Sequence, residues 1–399
     1  MVGPHRYVVG VPESRSNRLR LTYCGNVHAA QSVGGFLDGL DRFAVPVRDL
    51  GRVAGRPFGL GAWWPASVAA EIAREPAVQE RVRRALAERD LPLWTLNVFP
   101  HGDFHDDIVK EAVYRPDWGT EERVVYTRDC AEAAASLVPA GTVVPLSTLP
   151  LGYRAAGADP ATLRLMACNL ARAATHLHEL HERTGVHCVL ALEPEPFCLL
   201  ETAAAAAKFF EQWLLTAGVA NAVPERAVRA HLGVCVDLCH AFVVGEDPLA
   251  VLRDLHARGI SVPKVQVSSC LELRAPSGLD ELLAFDEVRY LHQTIAASGE
   301  RALDLGEVAA RRSEFERALA HGPVRTHYHM PLWWDRDGAF GSTRALLERA
   351  LDGLRQLPSP PLCEVETYTW SVLTGELCNA PLPERIAREL DFAAKRLGI

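Results

Sequence analysis

The strongest constraint on this chain is an alternation. Short β-rich runs recur between longer amphipathic stretches along its length. The strand-like runs are 21–28 (LTYCGNVH), 58–64 (FGLGAWW), 91–100 (LPLWTLNVFP), 142–151 (TVVPLSTLPL), 187–196 (HCVLALEPEP), 231–240 (HLGVCVDLCH), 262–269 (VPKVQVSS), 324–332 (VRTHYHMPL) and 362–370 (LCEVETYTW). Between them the apolar spacing predicts helices over 68–88, 121–137, 202–217, 279–297, 313–320 and 342–355. A further helix starts at Asp159 and Pro160, a good cap and first-turn residue, and is closed by Gly185. Such alternation implies parallel strands joined by right-handed crossovers.

Nine strand-like runs are one too many for an eight-stranded barrel, so 58–64 or 324–332 is expected to lie outside the closed sheet. The competing architecture, a doubly wound open sheet, usually carries a glycine-rich phosphate turn, and neither GxGxxG nor GxxxxGK[ST] occurs. The expected fold is therefore α/β: a (β/α)8 barrel with one extra strand-like segment or insertion. Residues 1–399 are expected to form a single domain with elaborated loops.

Composition limits the function. The formal charge is −8 and like charges form no long block, so a polyanion is repelled on average and no nucleic acid is expected as partner. No apolar run approaches the length of a membrane span. Residues 1–20 lack a secretory pattern, and the ten cysteines contain no CxxC pair. They read as reduced thiols in a cytoplasmic protein. A homo-oligomer remains open.

Parity then sorts the side chains, because alternate residues of a strand share a face. In 233–239, Val234 and Val236 face covering helices, while Cys235 and Asp237 point into the barrel, Asp237 nearest the C-terminal mouth. Glu193 pairs with Glu195, Glu364 with Glu366, His327 with His329, Asn26 with His28 and Asn97 with His101, and Gln266 lies between two valines. Barrel active sites are built at this end of the strands. Three carboxylates converging there (Glu193, Asp237, Glu366) repel one another unless a cation neutralises them. An oxygen-rich set with one or two imidazoles suits Mn²⁺, Mg²⁺, Co²⁺ or Zn²⁺. Glu195 or Glu364, one layer away, are alternative ligands. Trp63, Trp64, Phe99 and Trp333 are candidate walls of the pocket.

At these residues the chain resembles a known group. GVCVDLCHAF (233–242) resembles the Asp-x-x-His strand end of the xylose-isomerase-like TIM barrels, which include sugar-phosphate isomerases and epimerases, ketose 3-epimerases and endonuclease IV. LALEPEP (190–196) resembles their metal-binding Glu strand. Longer motifs, among them TLNVFPHGDFH, HYHMPL and EVETYTW, resemble the TIM-barrel components of ebo metabolite-traffic gene clusters. The resemblance implies a metal held by Glu193, Asp237, Gln266 and Glu366, with the Gln266 carbonyl as a weaker, neutral ligand. The family's histidine falls on Gln266, a departure that makes His327 or His329 a possible replacement, and His240 becomes a residue orienting Asp237 or a ligand of a second ion. It also implies Glu193 and Glu366 as an acid–base pair acting through an enediolate on a sugar, sugar phosphate or cyclitol ketone. Asn26, His28, Asn97, His101, Glu195, His327 and His329 would contact that polyol. A metal-dependent hydrolase and a non-catalytic metabolite-binding barrel are the alternatives.

Overall fold

The computed structural model describes residues 19–51, 55–102, 104–154, 159–216 and 224–399. The expectation for the first 18 residues of the chain, and the last residue of the helix expected over 202–217, lie outside the described residues. Seven strands come first: β1 (Leu21–Tyr23), β2 (Leu60–Trp63), β3 (Leu93–Asn97), β4 (Val143–Thr148), β5 (His187–Leu192), β6 (Leu232–Asp237) and β7 (Ser261–Val267). Five short strands follow, β8 (Leu271–Leu273), β9 (Thr294–Ala296), β10 (Arg301–Ala302), β11 (Val324–Thr326) and β12 (Phe340–Ser342). The last strand is β13 (Leu362–Val365).

Strands β1 to β7 and β13 make one parallel sheet in the order β1-β13-β7-β6-β5-β4-β3-β2. A parallel bridge between Cys24 and Gly61 brings its two edges together, giving a nearly closed (β/α)8 barrel. Gly61 is required at this seam, since a Cβ there would lie 2.1 Å from Glu364 Oε1 and 2.4 Å from the Tyr23 carbonyl. The strands β8 to β12 form a separate antiparallel sheet inserted between β7 and β13. The ninth run is thus 324–332, while 58–64 supplies β2.

Three sequence expectations need correction. The helix expected over 68–88 is two helices, Ala66–Arg74 and Pro76–Glu88, because Glu75 precedes proline and is held extended at φ −112° and ψ 105°. The helix expected over 279–297 stops at Leu283. Its far end instead joins the inserted sheet as β9, where Thr294 and Ile295 pair with β11 and β10, a β-branched preference that outweighs the apolar spacing. In 324–332 only Val324–Thr326 is strand. The long helix Pro160–Thr184 forms as expected, with Asp159 accepting from the amides of Ala161 and Thr162.

The main core lies between the outer faces of the barrel strands and the helices and includes Val234, Val236, Leu190, Leu192 and Val265. A second core (Leu271, Leu273, Phe315, Val324 and Phe340) underlies the inserted sheet. Among the described residues, eight of the ten cysteines are buried thiols and none forms a disulfide. No helix among them is long and apolar enough to cross a membrane.

Candidate active site

The apolar run 233–242 shows how the site is built. Val234 and Val236 enter the outer core, and Asp237 ends β6 at the mouth. There its Oδ1 caps the next helix, accepting from the His240 amide at 2.9 Å and from Ser268 Oγ at 2.8 Å. His240 follows three residues later because that is the turn its amide closes. The other oxygen, Oδ2, is buried and has no hydrogen-bond partner among the described residues.

Glu193, just after β5, and Glu366, just after β13, reach the same place. Glu193, Asp237 and Glu366 each offer an oxygen within 4.8 Å of the others, and Glu193 Oε2 is also buried and unpartnered. Glu366 Oε1 is fixed by two amides, Asn26 Nδ2 at 2.8 Å and Asn97 Nδ2 at 3.0 Å. Asn97 is itself oriented, its oxygen accepting from the Phe99 amide at 2.9 Å. Burial, then repulsion by Asp237 and Glu364, pushes Glu366 up to about 8. Burial with Glu366 and Asp237 likewise holds Glu193 far above the usual carboxylate range. Without a cation, these acids keep protons near neutrality.

Below this layer, inside the barrel, lies an ion pair fully removed from solvent. Lys264 Nζ stands 2.6 Å from Glu364 Oε2 and donates to Ser147 Oγ at 3.1 Å. Burial opposes the ammonium, but Glu364 together with Cys235 and Cys24 outweighs it and holds the lysine above its ordinary value. Glu364 is thereby occupied with Lys264 one layer down, and Glu366 is the member of that pair that lines the cavity. Gln266, beside Asp237 and Glu364 in register, is fully buried and, among the described residues, has no partner for either amide atom; like Asp237 it is not among the residues that line the cavity.

The inserted sheet delivers the histidines. His327 and His329 follow β11 and enter the mouth from above. His329 Nδ1 donates to the Glu366 carbonyl at 2.7 Å, which leaves Nε2 unprotonated, buried, unpartnered and 3.9 Å from Asp237 Oδ2. His240 Nδ1 donates to the Pro194 carbonyl at 3.0 Å, and its Nε2 faces His327 Nε2 at 3.1 Å. Burial lowers all three imidazoles, His240 to about 4, so they are neutral at pH 7. Glu195 accepts from Tyr114 Oη at 2.6 Å and stands within 4.8 Å of His240 and His327 nitrogens. Gln293 bridges Tyr114 to His327 Nδ1, both at 2.8 Å.

Two expected contacts are not brought in. The strand expected over 21–28 ends at Tyr23, and the turn Gly25–Val27 breaks its parity: Asn26 faces Glu366, whereas His28 bonds Tyr23 Oη and stacks on Phe43. His101 lies against Tyr126 in a separate surface depression. Of the expected walls, Phe99 lines the cavity, while Trp64 packs against Phe36 and Trp333 on Trp370. Trp63 joins Phe104, Val109 and Tyr290 in a small roof cluster. Sequence reasoning missed Tyr114, Gln293, Tyr368, Lys110 and Lys264. Lys264 and Tyr368 carried a signal, since they share the inward parity of Gln266 and of Glu366; Tyr114, Gln293 and Lys110 stand outside the strand-like runs.

The chain matches the protein family described as xylose isomerase-like TIM barrel over residues 59–269. No curated protein matches it in sequence. Among solved structures it is similar to an L-ribulose 3-epimerase, at 12% identity and TM-score 0.50, covering 96% of this chain and 95% of that one. It is equally similar, at 12% identity and TM-score 0.50, to a xylose isomerase-like TIM-barrel protein from Mycobacterium smegmatis in complex with magnesium, covering 96% and 98%. A 3-keto-D-glucoside 4-epimerase, YcjR, from E. coli matches at 13% identity and TM-score 0.46, covering 95% and 100%. At these identities the likeness is one of fold.

Proposed function

The chain belongs to the xylose isomerase-like TIM-barrel family, and from that premise we propose that it is a divalent-cation-dependent isomerase or epimerase of a sugar-like or cyclitol ketone. One observation carries this reading: three buried carboxylates from three strands converge at the mouth, two with an oxygen that has no hydrogen-bond partner among the described residues. Burying such oxygens unpaired is costly. A hard dication with oxygen donors resolves it, so the residues fit the group. Glu193, Asp237 and Glu366 would hold the ion, with His329 Nε2 as the imidazole that Gln266 does not provide. When bound, the ion supplies Lewis acidity to a chelated carbonyl and its neighbouring hydroxyl.

The chain's own residues do the rest. Glu193 and Glu366 take and return the proton α to the carbonyl: return to the opposite face epimerises, and return to the adjacent carbon isomerises. Asn26 and Asn97 pin the Glu366 carboxylate so that its proton transfer has one direction. His240, His327 and the Glu195–Tyr114 pair line the cavity and suit a polyol's hydroxyls. The stretches that resemble the ebo barrels support a place for this reaction in metabolite traffic.

The test is α-proton exchange. Incubated with Mn²⁺ and a panel of ketoses and cyclitol ketones in D₂O, the protein is expected to incorporate deuterium beside the carbonyl of at least one, read by NMR. Cation retention without exchange on any member would sink the reading. Ligation has its own test. His329→Ala is expected to weaken cation binding about tenfold or more, whereas Gln266→Leu leaves it unchanged, both measured by metal titration of the purified protein. Loss in Gln266→Leu alone would reverse the assignment.

A further inference from the structure

Resting on the reading above, we infer that the substrate is unphosphorylated and amphipathic, a neutral polyol head carrying an apolar group. The space at the mouth, open to solvent, has an empty volume of about 540 Å³. Its lining is of two kinds. Glu193, Glu366, Asn26, Asn97 and the imidazoles are polar, whereas Phe104, Val109 and Tyr290 form one apolar cluster with Val113 against it, and Leu291 adds a further apolar side chain.

A phosphate has nothing to hold it. Among the described residues, Lys110 is the only lysine or arginine lining the cavity. Its three ammonium protons are already given to the carbonyls of Glu287 at 3.2 Å and Tyr290 at 2.8 Å and to Asp304 Oδ2 at 2.6 Å. The amides opening the helix Leu238–Val243 are committed too, Cys239 N to Ser268 Oγ and His240 N to Asp237. Even with one dication bound, Glu193, Asp237, Glu366 and Glu195 leave the pocket without positive charge. A phosphate ester brings between one and two negative charges, and burying them unpaired costs several kcal/mol.

The apolar end is provided for. The roof joins a loop of the barrel to the inserted region, where the amides of Val109 and Lys110 both donate to the Arg289 carbonyl at 2.8 Å. The residues flanking that joint, Ile108 and Val288, are 67% and 70% exposed and are two of the three exposed large hydrophobic residues described. Apolar side chains that line the cavity, next in sequence to exposed apolar residues at the joint, suit a substituent better than a hydroxyl.

The probe is a set of glycosides of glucose, galactose and mannose and ethers of myo-inositol, each with methyl, butyl and hexyl groups, beside the parent polyols and their monophosphates. Binding to the Mn²⁺-loaded protein is read by calorimetry. For at least one head group, affinity is expected to rise about fourfold per methylene from methyl to butyl, with the monophosphate at least about 100-fold weaker than the butyl compound. Leu291→Asn and, independently, Val113→Ser should flatten the series without changing cation content. A flat series in the wild type, a monophosphate bound as well as the butyl compound, or no binding by any member overturns the inference. Deuterium exchange on ketoses with a flat series overturns it and leaves the isomerase reading standing. A rising series with no exchange does the reverse.

Discussion

Replacing Glu366 with Gln is expected to slow deuterium exchange on the best ketose by on the order of 10³-fold, the range of a lost general acid–base group. The substitution keeps the shape, and a Gln oxygen still accepts from Asn26 and Asn97, so the fold should be unaltered. Its amide cannot take the proton. Cation retention should fall as well, since one anionic oxygen leaves the set. Exchange and metal content both at wild-type level would remove Glu366 from the chemistry.

The same carboxyls set a pH dependence. Cation uptake displaces their protons, so affinity should rise with pH through about 8, the value to which Glu366 is pushed. For stability the sign is opposite in the metal-free protein. A carboxyl raised from 4.5 to about 8 on folding, as in Glu195 and Glu366, contributes stability that is full below pH 4.5 and lost as pH climbs through 8. Melting temperature in EDTA should therefore fall from pH 5 to pH 8.5, and added Mn²⁺ should reverse the fall.

The second large effect lies beneath the site. Lys264→Met strands the Glu364 carboxylate in a position with no solvent access, and breaking a buried pair in this way costs about 3–5 kcal/mol. Urea unfolding is expected to show a loss of that size. The double variant Lys264→Met with Glu364→Gln should recover most of it, because the charge is then removed and not merely unpaired. A single variant within 1 kcal/mol of wild type, roughly, would mean that the carboxyl takes up a proton at little cost. Lys264 also favours ionisation of Glu193 and Glu366, so its loss should weaken cation binding at pH 7.

What was legible in the sequence follows from periodicity. Asp237, Glu193 and Glu366 could be placed because each ends a regular strand whose inward face recurs every second residue. Parity failed where the strand stopped early: β1 ends at Tyr23, so Asn26 and His28 part company, and Pro100 precedes His101, which turns away. The second sheet was invisible as a sheet. Its strands are two or three residues long, and their pairing runs between segments far apart in the chain, from Leu271 to Thr326 and from Leu273 to Phe340. His327 and His329 were therefore named by residue type and proximity to an expected strand end, yet they reach the mouth through an irregular segment. Gln266 shows the remaining limit. Its parity is inward as read and it stands in register with Asp237 and Glu364, but parity does not say whether a side chain reaches open space, and the fully buried Gln266 does not line the cavity.

The barrel's strand order has a consequence for the timing of assembly. Asn26 and Glu366 are 340 residues apart yet bond directly, because β1 pairs with β13. The Glu366 side of the site does not exist until the last strand has left the ribosome and docked beside the first. A loop of this length adds little to the closure entropy, which grows only logarithmically, but contacts so distant in sequence form slowly. Cation capture is thus a late event of maturation, and a nascent chain, however much of its barrel is folded, presents only part of a coordination sphere.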